Sequence, residues 1–159
     1  MGFALSGMQL SSSAFNNAGV IPARYTGAGE DLSPALSWSN PPVGTQGFAI
    51  ICHDPDAPLI SKNGTYGFVH WVLYNIPGDI LHLEEASKLF TQGMNNFGNA
   101  GYNGPMPPEG HGPHQYYFWV LALDKPTNLQ PGLSLWELLA ELEPNVLGMN
   151  RLIGSFERP

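Results

Sequence analysis

A mainly β chain is what three features of the sequence predict. Its apolar residues fall in short runs rich in β-branched and aromatic side chains, Phe48–Cys52, Gly67–Ile76 and Tyr116–Leu123, the composition of strands. The 19 glycines and 15 prolines lie between those runs, as turns do and as disordered tracts do not. A helix start joined to helical spacing is found after Ser134. At 159 residues, without internal repeat or linker, the chain reads as a single domain, 1–159, able to bury about two thirds of its unfolded surface without disulfides or a structural metal.

The elements follow in order. Phe3–Met8 is expected as a short strand, with turns at Ser11–Ser13 and Asn16–Asn17, whose side chains compete for backbone hydrogen bonds. Leu36 and Trp38 alternate with Ser37 and Ser39, the mark of a half-buried strand that Pro41-Pro42 ends. Phe48–Cys52 is apolar without alternation and predicts a central strand covered on both faces. In His53-Asp54-Pro55-Asp56-Ala57-Pro58 each proline holds the preceding residue extended, so the exit from that strand is rigid. Gly67–Ile76 is the next strand, with His70, Val72 and Tyr74 expected on one face and Trp71 and Leu73 on the other. Pro77-Gly78-Asp79 turns the chain, Leu83–Phe90 is expected as a short helix, and Gly93–Asn103 as a loop. Ser134 and Glu137 form a capping-box pattern ahead of Leu138, Leu139 and Leu142. Pro144 ends that helix or opens a further turn, and Arg151–Glu157 is expected as the last strand.

Composition narrows function. The net charge of −7 argues against nucleic acid or an anionic membrane as a bulk electrostatic partner, so any anion site must be local. Cys52, the only cysteine, lies in an apolar run, where it reads as an inert buried thiol in a reducing compartment. Neither a signal peptide nor a membrane span is indicated. A soluble, cytoplasmic protein without stable membrane insertion is expected.

The stretch Gly101–Tyr116 holds four prolines and four glycines, which exclude a regular helix or central strand. It is a shaped loop delivering His114 and Tyr116 to one face at the start of a strand. Asp54 and Asp56 either cap turns or orient a histidine by accepting an imidazole N–H. Taken alone, His70 is a core histidine; beside His114 and Tyr116 it becomes part of a donor-rich concavity suited to phosphate or carboxylate. His53 and His111 are rim candidates, and Tyr66 and Tyr102 either line the mouth or pack.

Asp54-Pro55-Asp56-Ala57-Pro58, His70-Trp71, and the run Gly104–Tyr116 with its Gly-His-Gly-Pro-His-Gln-Tyr end together resemble the signature of the phosphatidylethanolamine-binding protein family. Glu30-Asp31-Leu32-Ser33-Pro34-Ala35-Leu36-Ser37-Trp38 is similar to that family's early strand motif. The likeness is best to its bacterial and archaeal Raf-kinase-inhibitor-like branch. It implies a β-sandwich of two antiparallel sheets with Greek-key connections, a few short peripheral helices and a small anion pocket at one edge. The family's pocket residues carry over onto Asp54, His70, His114 and Tyr116, with backbone at Met106 and Pro107 completing it. Asp56, Pro58 and Trp71 carry over as supports, and Ala57-Pro58 as a candidate cis bond. Met106 stands where the family commonly has a smaller residue, and the C-terminal helix of animal members has no counterpart before Pro159, which implies a more open mouth.

The leading function is therefore a non-enzymatic binding protein for a small phosphate- or carboxylate-bearing ligand, with no cofactor and no metal. The alternative is a kinase or protease inhibitor-like regulator acting through a protein partner, with a homodimer also open. A hydrolase lacks a nucleophile motif such as Gly-x-Ser-x-Gly. The spacing of His53, Asp54, Asp56, His70 and His114 matches no compact zinc pattern.

Overall fold

A computed structural model describes residues 3–57 and 67–159. Among the described residues nine strands run in chain order: β1 Gln9–Ser11, β2 Gly19–Val20, β3 Leu36–Ser39, β4 Gly47–Asp54, β5 Phe68–Pro77, β6 His82–Leu83, β7 Thr91–Gln92, β8 His114–Leu123 and β9 Val146–Phe156. Helix α1, Leu135–Leu142, precedes β9, and single 3-10 turns occupy Ala23–Tyr25 and Glu143–Asn145.

The strands form two sheets, β1-β3-β6 and β2-β9-β8-β4-β5-β7. Pairing is antiparallel throughout except for β2, which runs parallel to β9. The continuous apolar run 48–52 becomes β4, flanked by β5 and β8, because only a strand paired on both edges and covered on both faces can bury such a sequence. Since β4 and β8 are neighbours separated by three strands in the chain, the connection between them is long, as in Greek-key sheets.

Two apolar layers result. Between the sheets, Phe48, Ile50, Cys52, Trp71, Phe118 and Val120 meet Leu10, Leu36, Trp38 and Leu83 of the small sheet, with Trp38 edge-on to Phe48 at 5.5 Å. On the outer face, Ile51, Val72, Tyr74 and Leu121 meet Leu133, Leu138 and Leu142. The capping box starts α1 as expected: Ser134 Oγ accepts from Glu137 N at 3.2 Å, and Ser134 N donates to Glu137 Oε1 at 3.0 Å. No helix among the described residues is long and apolar enough to cross a membrane.

Four expectations are corrected. Phe3–Met8 is not a strand; its ladder contact is an isolated bridge from Leu5 to Met149, and β1 begins at Gln9. Ser11 accordingly closes β1 instead of opening a turn. Leu83–Phe90 is no helix: Leu83 pairs in β6, and Ala86 and Phe90 take φ of 55° and 72°, in the left-handed region, which no right-handed helix admits. The last strand begins at Val146, five residues before Arg151, because β8 supplies a ladder along its whole length.

Candidate functional site

Antiparallel pairing brings the end of β4 and the starts of β5 and β8 to one edge of the large sheet: Asp54 pairs with Phe68, and His53 with Tyr117. Asp54 and Tyr116 continue the inward alternation of Cys52 and Phe118, so both point between the sheets. His70 reaches them through an irregularity. The register passes from Cys52 opposite Trp71 to His53 opposite Val69, leaving His70 as the extra residue of a β-bulge. Strict alternation would have put His70 on the face of Val72 and Tyr74, as expected from the sequence; that face is the outer one, and the bulge turns His70 inward, its ring 5.2 Å from that of Tyr116. Re-aiming one side chain is what bulges do.

Asp54, Phe68, His70, Phe97, Met106, Pro107 and Tyr116 line a cavity of about 100 Å³. That is the room of about three water molecules. A phosphate-type group fits, while ligands of ordinary drug size fill roughly 300–1,000 Å³. Phe68 and Phe97 pack edge-on at 4.7 Å and both flank the His70 ring. Asn96 places Phe97 there by exchanging hydrogen bonds with Val69 of β5 at 2.6 and 2.9 Å.

His114 lies behind Asp54 and not on the cavity wall. Its Nδ1–H donates to Asp54 Oδ2 at 2.8 Å, with both side chains almost wholly buried. Asp54 Oδ1 accepts from the Asp56 amide at 2.8 Å, and Asp56 Oδ2 accepts from the Gln115 amide at 2.7 Å. One aspartate thus holds the histidine while the other ties the Asp-Pro-Asp turn to β8. Trp71 stays outside the cavity, donating to Gln92 Oε1 at 3.1 Å and meeting Tyr102 edge-on. Pro58, the Ala57-Pro58 bond and Tyr66 lie outside the described residues.

Sequence reasoning left three residues without their roles. His111, exposed on the loop, places Nδ1 2.8 Å from His114 Nε2, so the chain His111–His114–Asp54 runs from the surface to the cavity wall. Asp31, at φ 58°, accepts from Gly104 N at 2.7 Å and Asn103 Nδ2 at 3.2 Å and so anchors the start of the loop. Arg158 Nε donates to the Pro107 carbonyl at 2.6 Å, and its own carbonyl accepts from Gly110 N. Proline has no N–H and this carbonyl is engaged, so Pro107 shapes the wall and donates nothing; Met106 carries the one amide between Pro105 and Pro108. The signals were present as the Glu-Asp-Leu-Ser-Pro motif and the Gly-His-Gly-Pro-His spacing, but the partners of Asp31 and Arg158 are far away in the chain. His53 lies on the outer face, away from this cavity, and His82 bonds Ser37 Oγ.

The electrostatics are set by burial. His70 Nδ1–H donates to the Asn103 carbonyl at 2.7 Å, yet burial outweighs that bond and lowers its pKa. Burial, with Asp54 adding to it, pushes the Tyr116 phenol far above its usual value, so its hydroxyl stays protonated. No hydrogen bond among the described residues engages that hydroxyl. The Cys52 thiol is likewise raised by burial and is no nucleophile at neutral pH.

One consequence concerns acid stability. Because the folded chain binds the His70 proton less well than the unfolded chain does, stability is full above the unfolded pKa of about 6.5 and is lost as pH falls through the folded value. Urea midpoints measured downward from neutral pH should fall, and His70→Gln should flatten that decline; an unchanged slope in the variant would assign the acid sensitivity elsewhere.

The family model described as phosphatidylethanolamine-binding protein matches residues 11–157. The chain belongs to the phosphatidylethanolamine-binding protein family. A UPF0098 protein of Methanothermobacter thermautotrophicus is 46% identical over 158 residues, covering 95% of this chain and 99% of that one. Among solved structures, a phosphatidylethanolamine-binding protein homologue from Chlamydia trachomatis superposes with a TM-score of 0.87 at 32% identity, covering 96% of this chain and 98% of that one. Escherichia coli YbcL superposes with a TM-score of 0.87 at 30% identity, covering 97% and 100%. These relatives set the chain in the bacterial and archaeal part of the phosphatidylethanolamine-binding protein family, and the sandwich is that family's fold.

Proposed function

We propose that the cavity binds a single phosphate- or carboxylate-type group, free or at the tip of a larger molecule, and that it does so together with a proton and without chemistry. The observation that carries this reading is the donor balance of the wall. Both buried imidazoles spend Nδ1–H on protein acceptors, His70 on the Asn103 carbonyl and His114 on Asp54. In its neutral form His70 therefore offers the cavity only a lone pair at Nε2, while His114, behind Asp54, turns its Nε2 to His111. Asp54 adds a negative charge, which would repel an anion by roughly 4 kcal/mol at ~4 Å and an effective dielectric of ~20. Among the side chains of the wall, Tyr116 offers a donor that persists at every ordinary pH. An anion becomes favourable when His70 is protonated, gaining an Nε2–H donor and an offsetting charge, or when the ligand brings the proton as a P–OH group.

Calorimetric titration with inorganic phosphate tests this. Binding is expected to take up a proton, seen as an enthalpy that varies with the buffer's ionisation heat. Affinity should weaken by up to about tenfold per pH unit above about 6.5. Equal affinity across that range, or binding without proton uptake, contradicts the proposal.

A further inference from the structure

The outer face of the large sheet holds a second, larger depression that the family's pocket does not touch. It is a groove of about 610 Å³. Ile51, Val69 and Leu121 form its floor, and Leu135 and Leu139 of α1 form one side. Those floor residues alternate with the inward-facing ones of the same strands, so the sheet separates the groove from the Asp54 cavity. Phe3, Leu5 and Trp136 stand along the rim 42%, 58% and 65% exposed. Large apolar side chains left in water around a concave apolar floor mark a binding site and not ordinary surface.

Its polar equipment points to one kind of guest. Arg151 and His53 are its polar lining, and the Arg151 guanidinium lies 5.3 Å from the Trp119 ring and 5.9 Å from the Tyr117 ring. The aromatic faces hold the cation in place, and among the described residues no carboxylate forms an ion pair with it. In a chain of net charge −7 with six lysines and arginines, an arginine kept clear of carboxylates beside an apolar trough is suited to a guest with an apolar tail and an anionic head. The volume is in the range of small-molecule sites. We propose that this groove binds a single-chain amphiphilic carboxylate of the fatty-acid class, the alkyl chain lying on Ile51, Val69 and Leu121 under Trp136 and the carboxylate meeting Arg151.

The test is calorimetric titration of the full chain with dodecanoate below its micelle concentration. Saturable one-to-one binding is expected. Arg151→Met, which keeps the apolar stem, should weaken it about tenfold, the worth of one charge-assisted contact, and Arg151→Lys should restore much of it. Dodecanol should bind equally weakly to wild type and to Arg151→Met. Shortening the ligand to decanoate should cost roughly an order of magnitude, since each buried methylene is worth about fourfold. Inorganic phosphate should not compete. The inference is overturned if dodecanoate fails to saturate, if Arg151→Met binds it as wild type does, if phosphate displaces it, or if the groove is closed by self-association that dodecanoate does not reverse.

Discussion

Replacing His114 by alanine is expected to lower the unfolding free energy by about 3–5 kcal/mol and to abolish phosphate binding. The imidazole is the main partner of a carboxylate that is 2% exposed. Without it, Asp54 retains the Asp56 amide and must either remain a buried charge or take up a proton, and a void is left where the ring was. A double-mutant cycle separates these costs. Asp54→Ala with His114→Ala should cost distinctly less than the sum of the two single losses, because the second substitution removes a group already unpaired. Asp54→Asn should cost less than Asp54→Ala, since an amide oxygen can still accept the Nδ1–H. Urea denaturation at neutral pH measures all four. A loss below about 1 kcal/mol for His114→Ala would mean that the carboxylate is satisfied from the cavity side and does not depend on the histidine.

The second large effect is expected at Gly104. A Cβ there would lie 2.2 Å from the Tyr25 carbonyl oxygen, 2.8 Å from the Tyr102 hydroxyl and 2.9 Å from Asp31 Oδ1. None of the three can withdraw cheaply. The Tyr102 hydroxyl donates to that same Tyr25 carbonyl at 2.6 Å, and Asp31 grips the Gly104 amide at 2.7 Å. Gly104→Ala therefore displaces the loop, and with it the Asn103 carbonyl that fixes the His70 ring. A loss of at least about 2 kcal/mol is expected, together with loss of phosphate binding. Gly110→Ala is the control within the same loop: nothing lies within 4 Å of its added Cβ, and only its φ of 70° opposes the change. That should cost about 1 kcal/mol and spare binding. Similar losses at both positions would show that the loop is not clamped as described.

These two sites mark where sequence reading stopped. Asp54, His70, Met106, Pro107 and Tyr116 were named from the residues and the family likeness, and the structure sets them around one cavity. His114, named with them, is set behind Asp54. Trp71 carries no part of the wall. His111, Asp31 and Arg158 were visible as residues, but their hydrogen-bond partners were not. For two of them the reason is separation along the chain: Asp31 bonds a residue 73 positions away, and Arg158 one 51 positions away; His111 meets His114 only three positions on, through the shape of the loop.

What the amino-acid sequence determined by itself was whatever neighbours decide among themselves. The uninterrupted run at 48–52 had to be a strand covered on both faces, the Ser134–Glu137 pair had to start a helix, and the prolines of 105–113 had to make a loop. Each follows from propensity, alternation or capping within a few residues. Tertiary structure alone decided which way His70 faces, that Leu83–Phe90 is not helical, and that β9 begins at Val146. Those outcomes depend on register against a partner strand, and one extra residue in a ladder reverses a side chain that local alternation would have sent to the other face.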